Sequence, residues 1–483
     1  MNRKKIINKV CQAINKVREE KPLVEQITNY VTINDCANVT LAIGASPVMA
    51  DGKYEVEGFT KISKSIVINF GIIDVQSLET IIKAGKTANE NNIPIVFDPV
   101  GMGAIEYRDK GILELLENVH MSVIKGNAGE IMALAGEKGS TKGVDSLAES
   151  GDAIQSAIEI ANRYRCICAV TGKTDIITDG RYILKIENQS DILAYITGTG
   201  CMITSLIASF LGAGNTPFIS ATAGIMAMSI SGEKALEREN REKNGIASYK
   251  IDVMNNIYHF SPELVKEYAK ISIEKIDCKF SMYLITDEKT CMGKDLYECV
   301  EESIKGGAKI VQLREKNLGT REFLERASKI KEICKKYGAT MLINDRIDIA
   351  LAVDADGVHL GQSDMPIEIA KKLIGYNKII GISAGNIKEA KEAEKKGADY
   401  IGVGAIFSTS TKKDADAIEK ETLKNIADEV SIPVLAIGGI SVENMEYLKG
   451  TNIDGICVIS DILKNDDCKK RTQELVNKFN QIK

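Results

Sequence analysis

Residues 309–316 read KIVQLREK, an uninterrupted apolar run that ends in charged side chains. Seven other segments in the second half of the chain share this form, a short apolar run closed by glycine or a polar residue. They are MYLITD (282–287), MLIND (341–345), GVHLGQ (357–362), IIGISA (379–384), YIGVGA (400–405), PVLAIGG (433–439) and GICVIS (455–460). Continuous apolar strands that alternate with amphipathic helices indicate a parallel sheet covered on both faces. Eight such units in about 200 residues predict a (β/α)8 TIM barrel over residues 278–483.

The first half of the chain also alternates strands with helices, but less regularly. Buried strands are predicted at SIVINFG (65–71), IPIVFDP (93–99), SVIKGN (122–127) and CICAVTGK (166–173). This pattern predicts a three-layer α/β/α domain over residues 1–270, with ligands bound outside the strand ends. Residues 192–232 carry no charge, but the turn signal GAGNTP (212–217) favours two buried helices over a membrane span. The stretch from about 246 to 280 shows no disordered linker, and its Lys-rich part KEYAKISIEKIDCK (266–279) is expected to carry the chain from one domain to the next.

Composition narrows the classes of function. The net charge is −5 and Trp is absent, so we expect neither a nucleic-acid nor a membrane partner. The 11 Cys are scattered without a C-x-x-C pair, which favours reduced thiols in a cytoplasmic protein. The three His are far apart in sequence, so a zinc site is not expected.

The glycine-rich segment TGTGC (197–201) is the first candidate site, because it precedes a long uncharged helix. Glycines at a helix start leave backbone N–H groups free to hold an anion, with support from the helix dipole. Such a site could stabilise the charge on a transferring phosphoryl group. The same field is expected to lower the pKa of Cys201. A tight turn with a small buried cysteine is the alternative interpretation.

Five segments in this order resemble hydroxyethylthiazole kinase, a family with the ribokinase-like fold. They are PLVEQITNYVTINDCANVTLAIGASPVMAD (22–51), IVFDPVGMGAIEYR (95–108), IKGNAGEI (124–131), AVTGKTDIITDG (169–180) and ITGTGCMITSLIASFLGAG (196–214). The resemblance implies phosphorylation of a thiazole alcohol by ATP and Mg²⁺. It also implies a homo-oligomer, a trimer with sites near subunit boundaries.

The resemblance also implies roles for individual residues of the first half. Asp98 and Glu130 match the acidic positions that handle metal and phosphates, and oxygen ligands of this kind suit Mg²⁺. The remaining matches are Lys125 and Thr171 at ATP-contacting positions, Met49 and Gly198 at thiazole-contacting positions, and Cys201 beside the substrate hydroxyl as the catalytic residue.

Some positions depart from the usual residues of this family. Lys125 stands where Arg is usual, and it lacks the bidentate fork of Arg. Glu25 and Gln26 replace the usual His-Asn pair, and Asp51 stands where His is common. These last three changes lie at the thiazole end of the motif, so another small alcohol is an open alternative for the substrate.

Charged residues collect at the predicted strand ends of the barrel. Arg314, Lys316 and Lys412 supply cations, and Asp345 and Asp364 supply carboxylates. This set would suit a diphosphate bridged by Mg²⁺. The glycine pair after strand seven and the loop after strand eight lie where barrels often bind phosphate through backbone N–H groups. A solvated rim with incidental ion pairs is the alternative.

Segments at all eight predicted strands resemble thiamine-phosphate synthase. They include GGAKIVQLREKN (306–317), INDR (343–346), GVHLGQSDMP (357–366), GISAGN (381–386), YIGVGAIFSTSTKKD (400–414) and AIGGI (436–440). The resemblance implies that a pyrimidine diphosphate condenses with a thiazole phosphate and releases diphosphate.

This second resemblance assigns three groups of residues. The pyrimidine diphosphate contacts are Gln312, Leu313, Arg314, Glu315, Lys316, Asn344, Ser383 and Lys412. The thiazole phosphate contacts are Thr409, Ser410, Thr411, Gly439, Ile459 and Ser460. The Mg²⁺ ligands are Asp345 and Asp364. Together the two resemblances predict a bifunctional enzyme whose first product is a substrate of its second reaction. A domain that only binds its ligand is the non-enzymatic alternative.

Overall fold

The computed structural model describes residues 2–71, 75–137, 141–142, 145–146, 151–238, 245–276, 278–407 and 417–483. The chain forms two compact units, Met1–Ile276 and Asp277–Lys483. The strands of the first unit are β1 Leu23–Ile27, β2 Ser46–Val48, β3 Ser65–Asn69, β4 Ile95–Asp98, β5 Val123–Asn127, β6 Thr141–Lys142, β7 Asp145–Ser146, β8 Ile167–Thr171, β9 Asp175–Thr178, β10 Tyr182–Ile186 and β11 Ile271–Lys275. Its helices are α1 Arg3–Glu20, α2 Ile33–Ile43, α3 Val56–Ile62, α4 Val75–Glu90, α5 Glu106–Asn118, α6 Ala128–Ala135, α7 Ile154–Tyr164, α8 Thr199–Gly212, α9 Pro217–Ala235, α10 Ile246–Tyr258 and α11 Pro262–Tyr268.

A nine-stranded sheet forms the centre of the first unit, in the order β11-β10-β9-β8-β5-β4-β3-β1-β2. The six strands from β8 to β2 are parallel, while β9, β10 and β11 are antiparallel to their neighbours. The carboxyl ends of the six parallel strands therefore meet along one edge of the sheet, where ligands bind in folds of this type.

Both faces of this sheet are covered, because successive side chains of a strand point to opposite sides. On β3, Ile66 and Ile68 join the core with Ile112 of α5, whereas Val67 joins the other core with Leu206 of α8. This arrangement confirms the predicted three-layer α/β/α domain.

The uncharged segment 192–232 supplies α8 and most of α9, and most residues of both helices are buried. The prediction of two buried helices is therefore confirmed. None of the described helices has the length and apolarity needed to cross a membrane.

The predicted boundary at residue 270 falls inside the first unit. Strand β11 pairs antiparallel with β10, in a register that joins Ile186 to Ile271 and Tyr182 to Lys275. The Lys-rich segment therefore completes the first sheet instead of only connecting the two domains.

The second unit is a closed barrel of eight parallel strands, as the apolar runs predicted. They are β12 Met282–Ile285, β13 Ile310–Leu313, β14 Thr340–Asn344, β15 Gly357–Leu360, β16 Ile379–Ala384, β17 Tyr400–Val403, β18 Val434–Ile437 and β19 Gly455–Val458. Pairing of β12 with β19 closes the barrel. The surrounding helices are α12 Leu296–Lys305, α13 Thr320–Tyr337, α14 Ile347–Ala352, α15 Ile367–Ile374, α16 Ile387–Lys395, α17 Lys420–Glu429, α18 Ser460–Leu463 and α19 Cys468–Ile482.

Candidate active sites

The first site is built around Asp98, the last residue of the interior strand β4. Its side chain is 1% exposed, and its Oδ2 accepts from Lys125 Nζ at 3.3 Å, Asn69 Nδ2 at 3.3 Å and Thr204 Oγ1 at 2.9 Å. Burial by itself lowers the pKa of Lys125, but the charges of Asp98 and Glu130 outweigh it, so this pKa is raised. The ammonium group therefore stays charged beside the carboxylate.

Glu130 lies next to this pair and also caps a helix. Its Oε2 accepts from the backbone N–H of Asn127, and its Oε1 accepts from that of Gly101, both at 2.9 Å. Burial, followed by the charge of Asp98, raises the pKa of Glu130 to about 7. A second positive charge near the two carboxylates would lower this pKa, so the pair suits a cation.

Helix α8 begins beside the same cluster. Gly198 is its N-cap residue with φ +92°, and a Cβ atom there would lie 2.6 Å from Thr32 Cγ2. A Cβ at Gly200 would lie 3.1 Å from Lys125 Nζ, so the ammonium group is close to the first turn. No side chain caps this turn and no acidic residue lies in it. Free N–H groups and a nearby cation together make a site for an anion.

Cys201 lies in this first turn and contacts two asparagines. Asn29 Nδ2 is 3.5 Å from its Sγ, and Asn69 Nδ2 is 3.3 Å away. The prediction of a lowered pKa for Cys201 is wrong: burial, followed by the charge of Asp98, raises it. The helix dipole favours the thiolate, but the loss of hydration around the buried sulfur and the neighbouring carboxylate outweigh it.

Two other predicted residues lie on either side of the Asp98 cluster along the sheet edge. Met49 follows the edge strand β2 and is half-buried. Thr171 ends β8 on the other side, where its hydroxyl donates to Gly126 O at 3.4 Å. The structure therefore joins Asp98, Lys125, Glu130, Gly198 and Cys201 in one cluster and leaves Met49 and Thr171 at its ends.

The unusual pair Glu25–Gln26 is enclosed within the layers of the first unit. Glu25 Oε2 accepts from Thr60 Oγ1 at 2.7 Å, and its Oε1 has no hydrogen-bond partner. Gln26 donates to Thr40 Oγ1 and accepts from Ser205 Oγ, both at 2.7 Å. Asp51, in contrast, is exposed.

The second site lies at the carboxyl ends of the barrel strands. Lys316 Nζ donates to Asp345 Oδ2 at 2.5 Å, and Asp364 Oδ2 accepts from the backbone N–H of Gly361 at 2.7 Å. Burial by itself raises the pKa of Asp345, but hydrogen bonds from Lys316 and Asp364 outweigh it and lower this pKa. Burial and then Asp345 raise the pKa of Asp364. The two carboxyl groups therefore affect each other's ionisation, and a divalent cation beside them would favour the charged form of both.

The predicted pyrimidine diphosphate contacts lie in different surroundings. Asn344 Nδ2 is buried without a hydrogen-bond partner, so this donor is available to a ligand. Gln312 Nε2 donates to Tyr283 OH at 2.8 Å, inside the barrel. Ser383 Oγ lies 3.0 Å from His359 Nε2.

The segment after β13 contains side chains with different roles. Leu313 is buried in the core between barrel and helices. The backbone N–H of Arg314 donates to Thr286 Oγ1 at 3.0 Å. Glu315 accepts from Arg326 Nη1 at 2.7 Å, so this carboxylate is paired with a helix residue.

An open pocket of about 280 Å³ lies beyond strands β18 and β19. Gly439 and Ser460 line it together with Lys464, and Ile459 is the N-cap residue of the short helix α18. The pocket thus joins two predicted thiazole phosphate contacts. Thr409, Ser410, Thr411 and Lys412 lie outside the described residues.

Comparisons with known proteins match both halves of the chain. Residues 14–263 match the hydroxyethylthiazole kinase family, and residues 282–462 match thiamine monophosphate synthase. The thiamine biosynthesis bifunctional protein ThiM/ThiE of Symbiobacterium thermophilum is 33% identical, over 97% of this chain and 98% of that protein. The chain belongs to the hydroxyethylthiazole kinase family. Its second half also belongs to the thiamine-phosphate synthase family.

Relatives of each separate half agree with this assignment. The thiamine-phosphate synthase of Fusobacterium nucleatum is 56% identical, over 42% of this chain and 98% of that protein. A solved structure of hydroxyethylthiazole kinase from Pyrococcus horikoshii is 35% identical, with a TM-score of 0.50 over 55% of this chain and 98% of that one. Both resemblances inferred from the sequence are therefore confirmed.

The thiamine-phosphate synthase half offers few protein ligands for a metal. Among the residues that the structure describes, no group of three or more His, Cys, Asp or Glu is arranged to hold an ion. Asp345 and Asp364 supply two carboxylates, which fits Mg²⁺ because this ion keeps waters and binds substrate phosphates. In the kinase half, Asp98 and Glu130 offer a similar pair.

Sequence reasoning missed Asn29, Asn69 and Thr204 in the kinase half. Asn69 donates to both Asp98 and Cys201, Asn29 contacts Asn69 and Cys201, and Thr204 donates to Asp98. Asn69 ends the observed strand β3 as Asp98 ends β4, so its position at a strand end is the signal that could have identified it.

Proposed function

We propose that the chain phosphorylates 4-methyl-5-(2-hydroxyethyl)thiazole with ATP and then condenses the thiazole phosphate with 4-amino-2-methyl-5-(diphosphooxymethyl)pyrimidine. The second reaction yields thiamine phosphate and diphosphate. The observation that carries this proposal is the match over 97% of the chain to a protein named as bifunctional in thiamine biosynthesis. Each half also has its own cluster of charged residues at the strand ends.

In the kinase half, the start of helix α8 and Lys125 hold the negative charge of the transferring phosphoryl group. The proximity of Lys125 Nζ to Gly200 supports this role. Asp98 and Glu130 would hold Mg²⁺, which would neutralise phosphate charge. Thr171, two strands from Asp98, contacts the nucleotide, while Met49 and Gly198 contact the thiazole.

Cys201 orients the substrate hydroxyl and does not act as a strong base. Its raised pKa keeps the thiol protonated at neutral pH, and Asn29 and Asn69 fix the position of the sulfur. Phosphoryl transfer depends mainly on positioning and charge neutralisation, so a strong base is not required.

In the synthase half, Lys316 and the amide of Asn344 bind the diphosphate, supported by the unpartnered donor of Asn344. Asp345 and Asp364 would hold Mg²⁺, which would stabilise the charge of the diphosphate. The backbone of Gly439 and Ser460 binds the thiazole phosphate in the pocket beyond β18 and β19. Arg314, Lys412 and Thr409–Thr411 complete the two subsites by family resemblance.

A mass-spectrometric assay of the full chain tests both reactions. The chain receives the thiazole alcohol, ATP, Mg²⁺ and the pyrimidine diphosphate, and we expect thiamine phosphate. A parallel reaction replaces the thiazole alcohol with the pyrimidine alcohol, to test the alternative substrate. Phosphorylation of the pyrimidine alcohol in preference to the thiazole alcohol would contradict the kinase assignment. Native mass spectrometry of the same sample tests the expected trimer.

A further inference from the structure

A continuous chain of hydrogen bonds crosses the interior of the barrel. Gln312 Nε2 donates to Tyr283 OH, and Tyr283 OH lies 2.8 Å from Tyr400 OH. Tyr400 OH lies 2.8 Å from His359 Nδ1, and His359 Nε2 lies 3.0 Å from Ser383 Oγ. The five residues come from five different strands, so this hydrogen-bond chain joins two of the predicted pyrimidine diphosphate contacts, Gln312 and Ser383, through the lumen.

Packing fixes the two tyrosines in this chain. Tyr283 and Tyr400 are 1% and 0% exposed and belong to the core inside the barrel. A Cβ atom on Gly381 would lie 2.0 Å from the Tyr400 ring, so the absence of a side chain at this strand position makes room for that ring. Burial raises the pKa of both phenols, which keeps them protonated at neutral pH.

The proton of each group can be assigned from the donors available. The amide nitrogen of Gln312 only donates, so the Tyr283 oxygen accepts from it. The Tyr283 proton then points to Tyr400, and the Tyr400 proton points to Nδ1 of His359. A neutral His359 therefore carries its proton on Nε2 and donates to Ser383 Oγ. The reverse order would leave the Tyr283 proton without an acceptor in a closed interior.

This order of donors and acceptors determines which groups the hydrogen-bond chain offers to a ligand at Ser383 and at Gln312. Ser383 Oγ accepts from His359, so its own proton remains available as a donor. Gln312 uses Nε2 inside the barrel, and its Oε1 accepts from none of the described residues. One end is therefore a donor and the other an acceptor.

We propose that Tyr283, Tyr400 and His359 are positioning residues that set this polarity, and that they make the site specific for an aminopyrimidine over its 4-oxo analogue. An aminopyrimidine offers an amine N–H to the acceptor and a ring nitrogen to the donor. The 4-oxo form has an N–H in the ring and a carbonyl outside it, so its donor and its acceptor have exchanged places. A site that binds polar groups rejects ligands that leave those groups unpaired. The inference rests on the proposed synthase reaction.

The test compares the full chain with its Tyr400→Phe variant on the aminopyrimidine diphosphate and on its 4-oxo analogue. The variant keeps the ring but removes the hydroxyl that connects Tyr283 to His359. We expect kcat/KM for the amino substrate to fall about tenfold, mainly through KM, while the 4-oxo substrate stays within about twofold. Tyr337→Phe is the control, because its hydroxyl bonds Glu301 outside the lumen.

A double variant shows whether Tyr400 acts through Ser383. Ser383→Ala should reduce discrimination similarly, and adding Tyr400→Phe should reduce it little further. Equal losses for both substrates, or fully additive losses, would overturn the inference and leave the synthase reaction intact. A wild-type chain that makes no thiamine phosphate would overturn the proposed function and this inference with it.

Kinase turnover and thermal melting of each variant identify misfolding. If Tyr400→Phe misfolds, Tyr283→Phe provides the same test, because it interrupts the hydrogen-bond chain at its other phenol.

Discussion

The two sites use the same pair of groups, a lysine and an aspartate, in opposite surroundings. The side chains of Lys125 and Asp98 are 5% and 1% exposed, whereas those of Lys316 and Asp345 are 50% and 25% exposed. A buried pair cannot lose one partner without leaving an uncompensated charge, while water screens the exposed pair. The kinase site is therefore largely formed before ligands bind, and the synthase site depends more on its ligands for order and charge balance.

The largest expected effect is that of Lys125→Ala. Because Asp98 would keep a buried charge without its cation, we expect the unfolding free energy to fall by about 3–5 kcal/mol and kinase activity to be lost. Lys316→Ala is the matched control, with a change below about 1 kcal/mol. Urea unfolding followed by circular dichroism measures both, and pulse proteolysis with mass spectrometry of the surviving fragments identifies the transition of the first unit. Equal destabilisation by the two changes would contradict the comparison.

Removal of the negative charge of Asp345 or of Asp364 should lower the rate of the synthase reaction and leave the stability of the fold nearly unchanged. Asp345→Asn and Asp364→Asn are each expected to lower thiamine phosphate formation about 100-fold and to leave the kinase rate unchanged. The dependence of the synthase rate on Mg²⁺ concentration should shift to higher concentrations. An unchanged Mg²⁺ dependence in both variants would show that these carboxylates do not bind the metal.

A third prediction concerns the buried carboxyl group of Glu25. Burial raises the pKa of Glu25 from 4.5 to about 7. The protonated carboxyl group therefore contributes fully to the free energy of unfolding below pH 4.5, and this contribution is lost as pH rises through 7. Glu25→Gln should remove that loss and stabilise the chain by about 2 kcal/mol at pH 8, with little effect near pH 4.5. Glu20→Gln, on the exposed end of α1, is the control. Parallel stability curves for Glu25→Gln and wild type across this pH range would refute the assignment.

The smallest effect is expected at Cys201. If the thiol only orients the substrate, Cys201→Ala should lower kcat of the kinase about tenfold and keep the shape of its pH–rate profile. The synthase rate of the same variant is the internal control. Loss of the acidic limb of the profile would instead identify Cys201 as a base.

The barrel could be predicted because each strand is a continuous apolar run between helices. Strand β1 was missed because its sequence, LVEQI, carries the polar residues Glu25 and Gln26. Their burial depends on hydrogen bonds to residues that are distant in sequence. Strand β11 was missed because ISIEK lies in a Lys-rich segment and is stabilised by pairing with β10. Both depend on partners that the local sequence does not contain.

The sites show the same limit. Asp98 and Asp345 could be predicted because a charged residue at the end of an apolar strand is a local signal. The direction in which the pKa of Cys201 shifts could not be predicted, because the shift depends on how deeply neighbouring layers bury the sulfur. The chain of hydrogen bonds from Gln312 to Ser383 could not be predicted either, because it depends on the register of five strands around a closed barrel.

The central claim is that one chain carries two complete and independent active sites. Mixing two variants, Asp98→Asn and Asp345→Asn, tests it most directly by measuring thiamine phosphate formed from the thiazole alcohol, ATP and the pyrimidine diphosphate. We expect each variant alone to form only a small residue of the product and the mixture to restore it, because the thiazole phosphate made by one variant serves the other. Asp98→Asn should also form the product when thiazole phosphate is supplied. A mixture that stays inactive, although each variant retains its remaining reaction, would contradict the claim.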